Sequence, residues 1–139
     1  MEISRYDMNE RFSEMTVVDM GTGRLIYIAG QVAENTSLDI TGQTREVLRF
    51  IDALLARAGA NKSHIVQARI YLASAGDYVA MNSIWDDWVP QGHTPARATI
   101  GAKLISPEYR VEIECVAAVA RDVYDHAEGP QKHILPTAV

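Results

Sequence analysis

The sequence predicts one α+β domain: a mixed β-sheet with two helices packed on one of its faces. Three observations predict it. Runs of β-branched and apolar residues recur along the chain, two stretches between them carry apolar residues at helical spacing, and the first 121 residues contain no linker, repeat or low-complexity segment. A chain of 139 residues suits one domain, and an apolar fraction of 47% is enough for one core.

The elements follow in order. Met15-Thr16-Val17-Val18 and Leu25-Ile26-Tyr27-Ile28-Ala29 read as strands. Gly21-Thr22-Gly23 between them supplies the turn of a hairpin, because glycine reaches the positive φ that such turns need. The second strand closes at Gly30-Gln31, and a polar loop runs to about Thr41. From Gln43 to Ala58, Val47, Leu48, Ile51, Leu54, Leu55 and Ala58 make one helical stripe, and Gly59 stands where a C-terminal cap belongs. Asp39, Thr41 and Thr44 offer capping groups near the start. Ile65 to Leu72 is a strand. Asp77 opens a second helix with Tyr78, Met81, Ile84, Trp85 and Trp88 on one face, and Pro90 ends it. Ala96 to Ile100 and Arg110 to Ala120 are the last two strands, separated by a turn at Ser106-Pro107. On the final strand Val111, Ile113, Cys115, Ala117 and Val119 alternate with Glu112, Glu114, Val116 and Ala118. The second set turns apolar toward its end, which predicts that the far face of the sheet is covered by another subunit.

Composition narrows the partners. Thirteen Lys and Arg against eighteen Asp and Glu give a net charge of -5, and the basic residues are scattered. Phosphate neutralisation needs clustered cations, so no nucleic-acid partner is expected. No run approaches the ~20 apolar residues of a membrane span. Met1-Glu2-Ile3-Ser4-Arg5 lacks the apolar stretch of a secretory leader, and the single cysteine, Cys115, can form no internal disulfide, so a cytoplasmic setting is expected. His64, His93, His126 and His133 show no ligand spacing, and no metal site is expected. Cys115, mid-strand among apolar residues, reads as a small core residue, and Trp85 and Trp88 as core or interface anchors.

One pair stands out. Pro95-Ala96-Arg97 begins one predicted strand and Glu112 lies near the start of the next. If those strands are neighbours, a guanidinium and a carboxylate line one cleft. Arginine grips a planar carboxylate with two parallel hydrogen bonds, and a glutamate beside it can orient a water or shuttle a proton. On spacing alone an ordinary ion pair is the better reading, since structural pairs outnumber catalytic ones.

The residues taken together resemble the RidA/YjgF family. The resemblance is carried by Ile28-Ala29-Gly30-Gln31, Gln43-Thr44, Ala58-Gly59, Ile65-Val66 through Ile70-Tyr71-Leu72, Asp77-Tyr78 with Met81-Asn82, Pro95-Ala96-Arg97, and Val111-Glu112-Ile113-Glu114 with Val116-Ala117. It spans about residues 12 to 120. Asn61-Lys62-Ser63, Trp85-Asp86-Asp87-Trp88-Val89 and Gly92-His93 resemble the YoaB-like branch more than RidA proper.

The resemblance implies a chorismate-mutase-like fold and a homotrimer with clefts between subunits. It implies hydrolysis of reactive 2-imino or enamine acids to 2-keto acids and ammonia, without metal or organic cofactor. By position, Arg97 is similar to the family arginine that holds the substrate carboxylate, and Glu112 to the glutamate that positions the attacking water. Asn82 and the backbone at Gly30 match cleft-lining positions. The chain departs from RidA proper in two of its cleft positions. A Gly-Pro-Tyr segment whose tyrosine reaches the cleft is replaced by Arg11-Phe12-Ser13-Glu14, which leaves Phe12 or Ser13 to line that place. The cysteine two positions after the family arginine is Thr99. Residues 1–121 form the expected domain, and 122–139 have no counterpart in RidA proper and are expected to be a tail. Two other functions are weighed: a non-catalytic binder or sensor of small 2-keto acids, and a ribonuclease or translation inhibitor, which the acidic charge disfavours.

Overall fold

A computed structural model of the chain describes residues 1–121; the expected tail, 122–139, lies outside the described residues. Six strands and two helices follow in chain order: β1 (Glu2–Tyr6), β2 (Met15–Asp19), β3 (Gly23–Gln31), α1 (Ile40–Arg57), β4 (Ile65–Leu72), α2 (Tyr78–Trp88), β5 (Ala96–Gly101) and β6 (Val111–Ala120). One-turn 3-10 helices precede β4 (Lys62–His64) and α2 (Ala75–Asp77). The strands make one sheet in the order β1-β2-β3-β6-β4-β5. Every pairing is antiparallel except β4 with β5. That parallel pair needs a crossover, and α2 provides it.

Local chemistry accounts for the elements. The β2–β3 hairpin turns at Gly21 (φ 82°), where the Asp19 carboxylate accepts from the Gly21 amide at 2.9 Å. Helix α1 starts at Ile40, three residues before the apolar stripe suggests, because Asp39 caps it by accepting from the Gly42 amide at 2.8 Å. Gly59 (φ 74°) follows its C-terminus. Gln43 on α1 is fully buried. Its side-chain amide donates to the carbonyls of Leu38 and Glu108, both at 3.1 Å, and accepts from the Arg110 amide at 2.9 Å. The approach to β6 is thereby fixed against α1.

The helices cover one face of the sheet. Ile28, Ala68, Ile70, Val111, Ile113, Cys115 and Ala117 from the strands pack with Val47, Leu48, Ile51, Leu55, Met81 and Trp85 from the helices. Ile113 is fully buried, so truncating it to alanine costs about 2–5 kcal/mol. The other face carries Glu112, Glu114, Arg69, Tyr71 and Tyr27, which alternate with these core residues along β6, β4 and β3.

Two sequence expectations need correcting. Strand β1 is not predicted: of its five residues only Tyr6 is buried, so the segment shows no alternation. Strands β5 and β6 are not neighbours. The β4 strand lies between them, pairing with β5 on one side and β6 on the other.

Candidate functional site

The correction separates Arg97 from Glu112. Ala68 of β4 is in register with Arg97, and Tyr71 of β4 with Glu112. The two residues are therefore two strand spacings apart laterally and three residues apart along β4, roughly 10 Å in each direction. They also lie on opposite faces. Arg97 turns toward the helices, with its guanidinium carbon 5.3 Å from the centroid of the Trp85 ring on α2. Glu112 alternates with the buried Val111 and Ile113 and turns away from the helices. No ion pair joins them, and none of the described ion pairs includes either residue.

Arg97 heads one group. The Tyr78 hydroxyl stands 3.5 Å from its Nη2. Tyr78, Asn82 and Trp85 share one face of α2 at spacings of four and three residues, and Thr99 lies two residues beyond Arg97, on the same face of β5. The Asn82 Oδ1 and Thr99 Oγ1 atoms are shut off from solvent with no hydrogen-bond partner among the described residues. Buried polar atoms in that condition are uncommon in folded proteins, and ligand or water atoms usually complete them. Arg97, Asn82 and Thr99, all singled out from sequence, thus form one wall.

Glu112 and Gly30 form the other. Strand β3 carries an irregularity in register between Ile28 and Gln31, opposite β6. The bulge brings Gly30 so near the Glu112 carboxylate that a Cβ there would collide with it. Burial, and next the charge of Glu114, raise the Glu112 carboxyl above the ordinary carboxylate range. Glu114 itself is engaged, accepting from the Tyr71 hydroxyl at 2.6 Å and lying 3.5 Å from Arg69. That hydrogen bond raises the Tyr71 phenol. Burial pushes the Cys115 thiol up to about 12, so it carries no thiolate at neutral pH.

Phe12 and Ser13, though adjacent, go to different places. Ser13 lines a hollow of about 500 Å³ on the open face with Tyr27, Arg69 and Glu114. Phe12 is half-exposed and lines a second hollow, of about 510 Å³, with Gly30, Glu14, Gln31 and Arg57. Sequence reasoning missed Tyr78 as a neighbour of Arg97 and read Trp85 as a core or interface anchor in preference to a pocket wall. The Tyr78-Asn82-Trp85 stripe is the signal that could have found them.

A six-stranded mixed sheet with two helices on one face and charged groups on the other defines a small α+β class, with its polar residues concentrated where a second molecule could cover them. The chain belongs to the YjgF/RidA family: the family described as Endoribonuclease L-PSP matches residues 3–119. It is 44% identical over 119 residues to the RutC family protein YoaB of Escherichia coli strain K12, covering 86% of this chain and 100% of that protein. It is 42% identical over 117 residues to a RutC family protein of Haemophilus ducreyi, covering 84% of this chain and 97% of that one. Among solved structures it is similar to a YjgF family member from Neisseria meningitidis, with a TM-score of 0.79 and 43% identity over 88% of this chain and 98% of that one. No helix among the described residues is long and apolar enough to cross a membrane.

Proposed function

We propose that the protein hydrolyses reactive 2-imino and enamine acids to 2-keto acids and ammonia, in clefts formed where two copies of the chain meet. The observation that carries this reading is that Arg97 has no acidic partner among the described residues, although it is held against an aromatic ring. Its donor edge is available for a substrate carboxylate.

The chemistry asks little of the protein. The carbon of a C=N bond is already electrophilic. Water adds to it, a tetrahedral carbinolamine forms, and the nitrogen leaves as ammonia while the oxygen becomes the carbonyl of the 2-keto acid. The protein has to fix the carboxylate, present a water and carry a proton from that water to the leaving nitrogen. Arg97 performs the first task. Glu112 performs the others: its raised pKa makes it a stronger base than a free carboxylate and a group able to release the proton again. Gly30, Asn82 and Thr99 line the cleft, Phe12 flanks its Glu112 side beside Gly30, Ser13 lies in the hollow that holds Glu114, and no cofactor takes part.

Within one chain the sheet stands between Arg97 and Glu112, so the cleft takes its arginine wall from one copy and its glutamate wall from another. A homotrimer, as the family resemblance implies, supplies three such junctions in a closed ring. The test is release of ammonia and 2-oxobutanoate from 2-iminobutanoate generated in situ. Acceleration by the wild type and none by Arg97→Ala is expected. A wild type that binds 2-oxobutanoate in calorimetry without accelerating hydrolysis would show a binder or sensor instead.

A further inference from the structure

We infer that Trp85 is a positioning residue that sets the direction of the Arg97 guanidinium, held in turn by Trp88 and Asp52. The inference rests on the reading of Arg97 as a carboxylate anchor. It names what gives that anchor its aim.

An arginine on a sheet edge has a long, flexible side chain and, without an acid, little to order it. Arg97 lies on β5, an edge strand of the sheet, and is in none of the described ion pairs. Among the described residues its cation–π and hydrogen-bond contacts are the Trp85 ring, 5.3 Å away at its centroid, and the Tyr78 hydroxyl at 3.5 Å. A guanidinium over an indole face is attracted by the ring's quadrupole and keeps its N–H groups directed outward at the ring's edge. An acid partner would occupy those same groups. The aromatic support holds the guanidinium without an acid, and the donors other than the one on Nη2 that faces Tyr78 stay available.

The support is itself braced. Trp85 is 5% exposed, so its ring is fixed by packing. Trp88, one turn further on, meets it at a centroid distance of 5.3 Å and a tilt of 49°. The Trp88 indole N–H donates to Asp52 of α1 at 3.0 Å, and the Lys62 Nζ lies over the Trp88 ring, 5.3 Å from its centroid. A line of contacts therefore runs from α1 through both tryptophans of α2 to Arg97 at the sheet edge. A tryptophan serving only to fill the core would need neither the cation on its face nor the hydrogen-bonded brace behind it.

The experiment compares Trp85→Phe, which keeps a smaller ring face, with Trp85→Met, which keeps a long apolar side chain without a ring, in the full-length protein. Kinetics use 2-iminobutanoate generated in situ, and binding uses 2-oxobutanoate. Trp85→Met is expected to raise KM and the 2-oxobutanoate Kd about tenfold with kcat within about twofold, while Trp85→Phe stays within about threefold of wild type in both. The Arg97 Nε–H resonance, identified by its loss in Arg97→Lys, reports the stacking independently of any turnover. It is expected upfield in the wild type, less so in Trp85→Phe, and near its unstacked position in Trp85→Met. A resonance that does not move between these variants, or a Trp85→Met variant with wild-type KM and Kd, overturns the inference. If the resonance moves as expected but no variant, wild type included, binds or turns over the acids, the positioning role stands and the carboxylate reading of Arg97 falls.

Discussion

Two arginines flank α2, and they are used in opposite ways. Arg110, just before β6, closes on Asp77 at the start of α2 with Nε at 3.2 Å and Nη2 at 3.0 Å from the carboxylate. Arg97, on β5, touches Tyr78 and Trp85 of the same helix and meets no carboxylate among the described residues. The first joins the α2 entrance to the β6 entrance and has its fork occupied. The second lies over an aromatic ring, and none of the described ion pairs engages its fork. The sequence singles out Arg97, paired with Glu112, and marks Arg110 only as the start of the last strand. The structure separates an arginine that holds the fold from one available to hold something else.

The largest expected difference is therefore in function. Arg97→Ala should lower kcat/KM for 2-iminobutanoate by at least about a hundredfold, the loss of a bidentate charge-assisted contact, with little change in melting temperature. Arg110→Ala should do the reverse. Its pair is partly solvated, with Arg110 41% exposed, so stability should fall by about 1 kcal/mol while activity per folded molecule is retained. Parallel assays and thermal melts of the two variants would break the comparison if both lost activity equally.

Glu112→Gln should follow, with kcat lowered about a hundredfold and KM little changed. The pH profile gives the sign. Water activation needs the carboxylate, so the wild-type rate should fall as pH drops through a pKa raised by burial, and the variant should lose that limb. Stability should move the other way. A carboxyl whose folded pKa is raised binds its proton more tightly in the native state, so it costs stability as pH rises from the unfolded value through the folded one. Glu112→Gln should then melt higher than wild type at neutral pH.

Gly30→Ala comes next. The added methyl meets the Glu112 carboxylate, which must swing aside. The variant should fold and lose about tenfold in kcat while its 2-oxobutanoate Kd stays near wild type. A shift in Kd with unchanged kcat would place Gly30 on the other wall.

The smallest effect should come from the most ordinary pair. Arg57 donates to Asp7 at 2.6 and 3.1 Å, and that bond holds the Asp7 carboxyl below its usual range. The pair's contribution is present above the unfolded pKa of an aspartate and is lost as pH falls through the lowered folded one. Arg57→Met should cost about 1 kcal/mol or less at neutral pH, and the difference from wild type should vanish in acid.

Much of this was legible in the sequence. The Ile65–Leu72 strand matches the observed one, and both helices fall where their apolar stripes lie. The α1 start was blurred because Gln43, Thr44 and Glu46, polar in type, are buried on the helix and break the stripe's edge. Strand β1 was illegible because a strand with one buried residue has no period to read. Strand order was illegible for a different reason: β4 inserts between β5 and β6 through pairings remote in sequence. Arg97 and Glu112 stood out from the residues themselves, and family resemblance gave them roles and added the other candidates, but their geometry was not legible. Alternation along β6 did show Glu112 pointing away from the core. Strand β5 gave no such signal, since none of its residues is buried, and so the opposite facing of Arg97 had to come from its contact with Trp85.

The claim that the two walls come from different copies is tested most directly by mixing two inactive proteins. Arg97→Ala and Glu112→Gln are combined in equal amounts, the subunits are exchanged by unfolding and refolding, and 2-iminobutanoate hydrolysis is measured. A cleft drawing each wall from a different copy has both intact walls with a probability of one half for each, so activity should return to about a quarter of the wild-type value. A mixture no more active than its two parents would contradict the shared cleft.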